Sequence, residues 1–178
     1  MKKRLFLTGD QGCGKSTLIR QCLGSRLHTA GGFLTVRTDM GVELRAPDPA
    51  ADPVVFLELS AKEPVFHKDR FLSGIRSLLS AEASFAVMDE IGGIELFLPE
   101  THAVLDRFFA SGTPCIGVVK NPSSAEKLAR RLGLDAGYLQ AAEAFRQKLA
   151  ADPDTAVIPA DDQAEELVRQ WAEEYGHA

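Results

Sequence analysis

Gly9-Asp10-Gln11-Gly12-Cys13-Gly14-Lys15-Ser16 carries the spacing G-x-x-x-x-G-K-[ST], and Thr17 extends it. The spacing suits the binding of a phosphate chain. Glycines let the backbone wrap until successive N–H groups converge on one anion. A helix begun at the same point adds its unpaired N–H groups and the positive end of its dipole. Lys15 is then placed to neutralise β- and γ-phosphate oxygens, and the Ser16 hydroxyl to ligate Mg²⁺. The run Gly9 to Thr17 is therefore expected to hold a nucleoside triphosphate (ATP, GTP or another) with Mg²⁺, and Lys15 to act in catalysis as well. Cys13 occupies a variable position of the loop. Its thiol either lies exposed and reactive beside Lys15 and the helix start, or turns into the fold.

A second chemical signal lies in Phe85-Ala86-Val87-Met88-Asp89-Glu90, an apolar strand that ends in two carboxylates. In open α/β sheets the C-terminal strand edge is where ligands bind. Asp89 is expected to share the Mg²⁺ with Ser16, and Glu90 to orient or deprotonate an attacking water. Asp89-Glu90-Ile91-Gly92 also fits the D-x-x-G element of GTPases. Those proteins choose guanine with N-K-x-D, whereas Lys120-Asn121-Pro122 has the wrong order and no aspartate. A guanine-specific switch is unsupported. Lys127, Arg130 and Arg131 form a basic helical cluster that reads as a solvated face rather than part of the site.

These residues need a frame. Leu5-Phe6-Leu7 predicts a short buried strand, followed by a helix from Lys15 to about Cys22. Phe33–Arg37 and Val42–Arg45 flank the turn Thr38–Gly41 as a hairpin, and Val54–Leu59 is a further strand. Asp69–Glu82 has helical spacing of apolar residues. Pro99 suits the first turn of a helix facing inward through Val104, Leu105, Phe108 and Phe109. Cys115–Val119 is a strand. Ser123 and Glu126 are spaced as a capping box for a helix that Gly133 ends. A helix over Ala136–Leu149 and a strand over Ala156–Ile158 follow. The last helix, with Asp162 and Glu165 as a capping pair, is expected to bury Ala164, Leu167, Val168, Trp171 and Tyr175. Strands alternating with helices argue for one α/β domain over residues 1–178, built as a mostly parallel sheet covered on both faces, with an embedded hairpin.

Composition excludes several classes. The chain of 178 residues is 45% hydrophobic and 25% charged, which suits a globular protein. A net charge of −5 carries no electrostatic footprint for nucleic acid. Met1-Lys2-Lys3-Arg4 resembles the basic start of an export signal, but only Leu5-Phe6-Leu7 follows before polar residues. No run of about 20 apolar residues appears, so no membrane span is expected. Cys13, Cys22 and Cys115 are odd in number and lack metal-ligand spacing. Together these features predict a cytoplasmic protein.

Three segments resemble the small P-loop nucleoside-triphosphatase family of the thermophile and cancer-related nucleoside-triphosphatase type. They are Gly9 to Leu18, Gly32-Phe33-Leu34-Thr35-Val36-Arg37, and Met88 to Phe97, whose D-E-I-G-x-x-E-L run is the most specific. The resemblance implies a RecA-like three-layer P-loop core and slow, Mg²⁺-dependent hydrolysis of several nucleoside triphosphates. Lys15, Ser16, Asp89 and Glu90 stand at its motif positions. Arg37 stands at the family's strand arginine, within possible reach of phosphate. The chain departs from the family at Thr35-Val36, Lys120-Asn121-Pro122 and Asp162-Gln163, and adds a helical stretch from Leu134 to Asp152. Two other readings stay open at this point: a P-loop kinase passing the γ-phosphoryl group to a small molecule, and a nucleotide-gated binding module.

Overall fold

The computed structural model describes residues 1–59, 63–80 and 82–177. In chain order the elements are β1 (Arg4–Thr8), α1 (Lys15–Leu23), β2 (Gly31–Arg37), β3 (Gly41–Arg45), β4 (Val54–Glu58), β5 (Val65–Phe66), α2 (Lys68–Ser80), β6 (Ala86–Ile91), α3 (Pro99–Ala110), β7 (Cys115–Val119), α4 (Pro122–Leu132), α5 (Ala136–Ala151), β8 (Thr155–Pro159) and α6 (Ala164–Tyr175). Short 3₁₀ turns occupy Gly24–Thr29 and Ile94–Phe97.

One sheet joins all eight strands in the order β5-β4-β3-β2-β6-β7-β1-β8. From β2 to β8 the neighbours run parallel. The hairpin expected at Thr38–Gly41 pairs Arg37 with Val42 and Leu34 with Arg45. It continues through β4 and β5 as an antiparallel edge, longer than a hairpin alone.

Side chains alternate between two cores. Leu5 and Leu7 of β1, Val87 of β6 and Ile116 and Val118 of β7 join Ile19, Leu23, Val168 and Trp171 under α1 and α6. Phe6, Ala86, Met88, Cys115 and Val119 point the other way, onto Ile75, Leu105, Ala129 and Phe145 from α2, α3, α4 and α5. Burial on both faces is why these strands read as continuous apolar runs instead of alternating ones. The result is the expected three-layer α/β architecture with a mostly parallel sheet. Parallel packing also brings the C-terminal ends of β1, β2, β6 and β7 to one edge, with β7 between the Gly9 loop and the Asp89-Glu90 strand.

Gly32 shows what the close packing of β2 on β6 demands. A Cβ there would lie 2.1 Å from the Val87 carbonyl oxygen, and its φ is +88°. Only glycine fits that approach.

Several local expectations are corrected. Arg4, one residue before the expected strand, is the first residue of β1. It is buried, with its guanidinium donating to both Asp152 carboxylate oxygens at 2.8 and 2.7 Å and to Thr155 Oγ1 at 2.9 Å. Helix α4 is capped by Asn121, whose side chain accepts the Ser124 N–H at 2.7 Å, instead of by Ser123 and Glu126. Pro122 needs no N–H at the first position, so the helix starts two residues earlier than a Ser123 cap would set it. Gly133 ends it in left-handed geometry, as expected. Asp162 does not cap α6. Asp161 accepts the Gln163 N–H at 3.0 Å before the helix begins. Leu167 is exposed, outside the face formed by Ala164, Val168 and Trp171. Helix α2 is described to Ser80, and its expected extension toward Glu82 passes through residue 81, outside the described residues.

Candidate active site

The Gly9 loop turns on three glycines with positive φ: Gly9 (+151°), Gly12 (+83°) and Gly14 (+90°). L side chains rarely adopt such angles, so this wrap requires glycine. Gly14 caps α1, and its carbonyl accepts the Leu18 N–H at 2.8 Å. The Lys15 ammonium folds over the loop, donating to the carbonyls of Gly9 (3.0 Å) and Asp10 (2.6 Å). Cys13 is exposed, with Sγ 3.4 Å from Lys15 Nζ, so its side chain does not turn into the fold. Asp10 accepts from the Asn121 side chain at 3.2 Å, which ties the loop to the start of α4. Thr17 lies exposed on the first turn of α1.

Ser16 and Asp89 meet although 73 positions separate them: the hydroxyl donates to Asp89 Oδ1 at 2.6 Å. Asp89 is 4% exposed, and Arg20 Nη2 lies 3.5 Å from its other oxygen. Burial pushes the Asp89 carboxyl above the usual carboxylate range, against the opposing pull of Ser16 and Arg20. A hydroxyl and a carboxylate in contact are hard oxygen donors suited to Mg²⁺. Among the described residues no three His, Cys, Asp or Glu side chains gather into a metal cage. Two protein oxygens plus phosphate and water match how Mg²⁺ is usually held in nucleotide sites.

Strand β6 does not end at Glu90, as expected, but runs to Ile91. Its register with β7 slips between Met88 and Ile91, and Glu90 sits in the slip with φ +68°. It is the one non-glycine residue with positive φ among those described. Such backbone strain concentrates at functional sites, where surrounding contacts hold it. Here the slip aims the Glu90 side chain at Lys120, at the end of β7, with which it forms an ion pair.

The rest of the D-E-I-G-x-x-E-L run holds that bend. Gly92 has φ +102°, and the buried Glu95 carboxylate accepts the N–H groups of Gly92 and Gly93 at 2.9 and 2.7 Å. Burial pushes the Glu95 carboxyl upward, while these N–H groups oppose the shift. The Gly92 carbonyl accepts the Tyr138 hydroxyl at 2.8 Å. Tyr138 belongs to α5, the stretch that looked like additional helix in the sequence.

Arg37, at the end of β2, reaches the same edge. It lines a cavity of about 200 Å³ together with Gln11, Glu90 and Lys120. Lys127 and Arg131 line it too, while staying exposed to solvent as expected. They are four apart and so share one side of α4, while Arg130 points elsewhere.

The site residues not anticipated are Arg20, Lys120, Asn121, Glu95 and Tyr138. Arg20 stands four positions after Ser16, on the same helix face, and Lys120 ends a strand parallel to the one carrying Asp89. Both signals were present in the sequence. Tyr138 carried none.

A family described as NTPase matches residues 62–150. The chain is 31% identical over 142 residues to nucleoside-triphosphatase THEP1 of Thermotoga sp. (strain RQ2), covering 72% of this chain and 81% of that one. It is 25% identical over 143 residues to nucleoside-triphosphatase THEP1 of Natranaerobius thermophilus, covering 68% and 77%. In fold it is similar to the crystal structure of THEP1 from the hyperthermophile Aquifex aeolicus, with a TM-score of 0.57, 17% identity, and coverage of 94% and 95%.

Proposed function

The chain belongs to the THEP1 family of nucleoside-triphosphatases, and from that premise we propose that it hydrolyses Mg²⁺-bound nucleoside triphosphates to diphosphate and phosphate with little regard for the base. The observation that carries this reading is the 2.6 Å contact of Ser16 with Asp89, one residue before the strained Glu90.

In this reading the N–H groups of Gly9 to Thr17 cradle the phosphate chain. Lys15 exchanges its contacts with the Gly9 and Asp10 carbonyls for phosphate oxygens. Ser16 and Asp89 would hold Mg²⁺, which when bound would offset negative charge on the phosphates. Glu90 orients a water against the γ-phosphorus and takes its proton as the new P–O bond forms. The bond to the bridging oxygen breaks, and that oxygen leaves as part of the diphosphate. Arg37, at the cavity rim beside Glu90, is placed to meet charge on the γ-phosphate. Breadth toward bases rests on the lack of a base-reading motif in the sequence.

No helix among the described residues is long and apolar enough to cross a membrane. We place the enzyme in the cytosol, where its three free cysteines would stay reduced. Its net charge of −5 argues against a nucleic-acid partner.

Phosphate release from ATP, GTP, CTP and UTP, with Mg²⁺ and with a chelator, tests the reading. Efficiencies should lie within roughly 1.4–2.8 kcal/mol of one another, about ten- to a hundredfold. The chelator should abolish release. Lys15→Ala should be inactive at any Mg²⁺ concentration, and Ser16→Ala should recover in part as Mg²⁺ is raised. Wild-type activity in Lys15→Ala, or full activity in chelator, would overturn the assignment.

A further inference from the structure

The 200 Å³ cavity runs from Gln11 of the phosphate loop and Glu90 onto the side of the sheet opposite α1. Its walls are mostly apolar, with Phe33, Phe56, Phe71, Ile75 and Leu128, and the buried Glu95 and half-buried Lys120 stand among them. Two features set it apart from a packing defect. The first is its lining, in which three exposed cations, Arg37, Lys127 and Arg131, stand beside the Glu90–Lys120 pair in a chain of net charge −5. None of the three takes part in an ion pair among the described residues. The second is Thr101, fully buried on α3, which lines the cavity while its Oγ1 has no hydrogen-bond partner among the described residues. A purely apolar void presents no group in need of a partner, and buried hydroxyls are ordinarily paired.

We propose that this cavity is a second small-molecule site, taking an amphiphilic monoanion whose apolar body fills the phenylalanine-lined chamber and whose charged head meets Arg37, Lys127 and Arg131. The volume sets the size. An apolar cavity of about 150 Å³ takes up a benzene ring, so this one holds a body of roughly six to eight carbons. A polar group on that body would complete Thr101. A triphosphate does not fit the chamber, because its charges would face aromatic and aliphatic walls. Gln11, Arg37 and Glu90 are common to this cavity and the proposed phosphate site, so the inference rests in part on that reading.

Octanoate is a suitable probe, titrated calorimetrically into the whole protein. One octanoate should bind per chain, and octan-1-ol should bind at least tenfold more weakly because it lacks the charge. Affinity should rise along the series from acetate to octanoate and fall at dodecanoate, which exceeds the chamber. Arg131→Glu, at an exposed position, should weaken octanoate at least tenfold and leave octan-1-ol unchanged. Lys15→Ala should bind octanoate like the wild type, which separates this site from the phosphate loop. The proposal is overturned if octanoate does not saturate at one per chain, if octan-1-ol binds equally well, or if Arg131→Glu has no effect.

Discussion

The Tyr138 hydroxyl donates to the Gly92 carbonyl at 2.8 Å, joining α5 to the bend that carries Glu90. The tyrosine is fully buried and its ring packs on Phe97. A helix that adds no residue to the phosphate loop thus holds the segment that presents the acidic pair.

Tyr138→Phe keeps the ring and removes the donor, leaving the Gly92 carbonyl unpaired. Stability in urea should fall by about 1–3 kcal/mol, the usual cost of stranding a buried polar group. Turnover should fall as well, while nucleotide binding at the Gly9 loop is retained. A variant as stable as the wild type would mean that Gly92 finds another donor and that α5 does not brace the site.

Glu90 combines a chemical role with a backbone cost. Glu90→Gln should lower hydrolysis about 10²–10⁴-fold, the usual contribution of a positioned general base, without weakening nucleotide binding. The backbone is probed by comparing Glu90→Gly with Glu90→Ala, both of which lack the carboxylate. At φ +68° an alanine meets the left-handed penalty that glycine escapes. Glu90→Gly should therefore be the more stable by about 1 kcal/mol. Equal stability of the two variants would show that the bend relaxes when Lys120 loses its partner.

Glu95 should make stability depend on pH. Burial raises its carboxyl in the folded protein above the unfolded value. Its contribution is therefore fully present below the unfolded pKa, near about 4.3, and is lost as pH rises through the raised folded value. Glu95→Gln cannot titrate. The stability of the wild type relative to this variant should be greatest in acid and decline toward neutrality. A difference that grows with pH would contradict the assignment.

Among the thiols, Cys13 is exposed, Cys22 half-buried and Cys115 buried. Burial pushes the thiols of Cys22 and Cys115 above the usual range, which suppresses their thiolate forms. Iodoacetamide should modify Cys13 first and stop hydrolysis, and Mg²⁺-nucleotide should protect it. Cys13→Ala should remain active and resist the reagent, because the loop meets phosphate through backbone N–H groups. Peptide mapping that finds Cys22 or Cys115 alkylated first would sink the prediction.

Local signals in the sequence determined the Gly9–Ser16 loop, the strand ending in Asp89-Glu90 and the alternation of strands and helices. The reason is that each depends on neighbours within a few residues: glycine spacing, a helix start, an apolar run closed by acids. The same locality made the caps of α4 and α6 misleading, since Ser123 and Asp162 compete with Asn121 and Asp161 one or two positions away. Tertiary structure alone decided the 2.6 Å meeting of Ser16 with Asp89, the pairing of Glu90 with Lys120 and the brace from Tyr138. Those contacts follow from strand order, which sets β7 between β1 and β6. It also set the exposed Lys127 and Arg131 along the lining of a cavity. Periodicity shows which side of a helix is apolar, but which strand ends lie opposite its charged residues depends on how the whole chain packs.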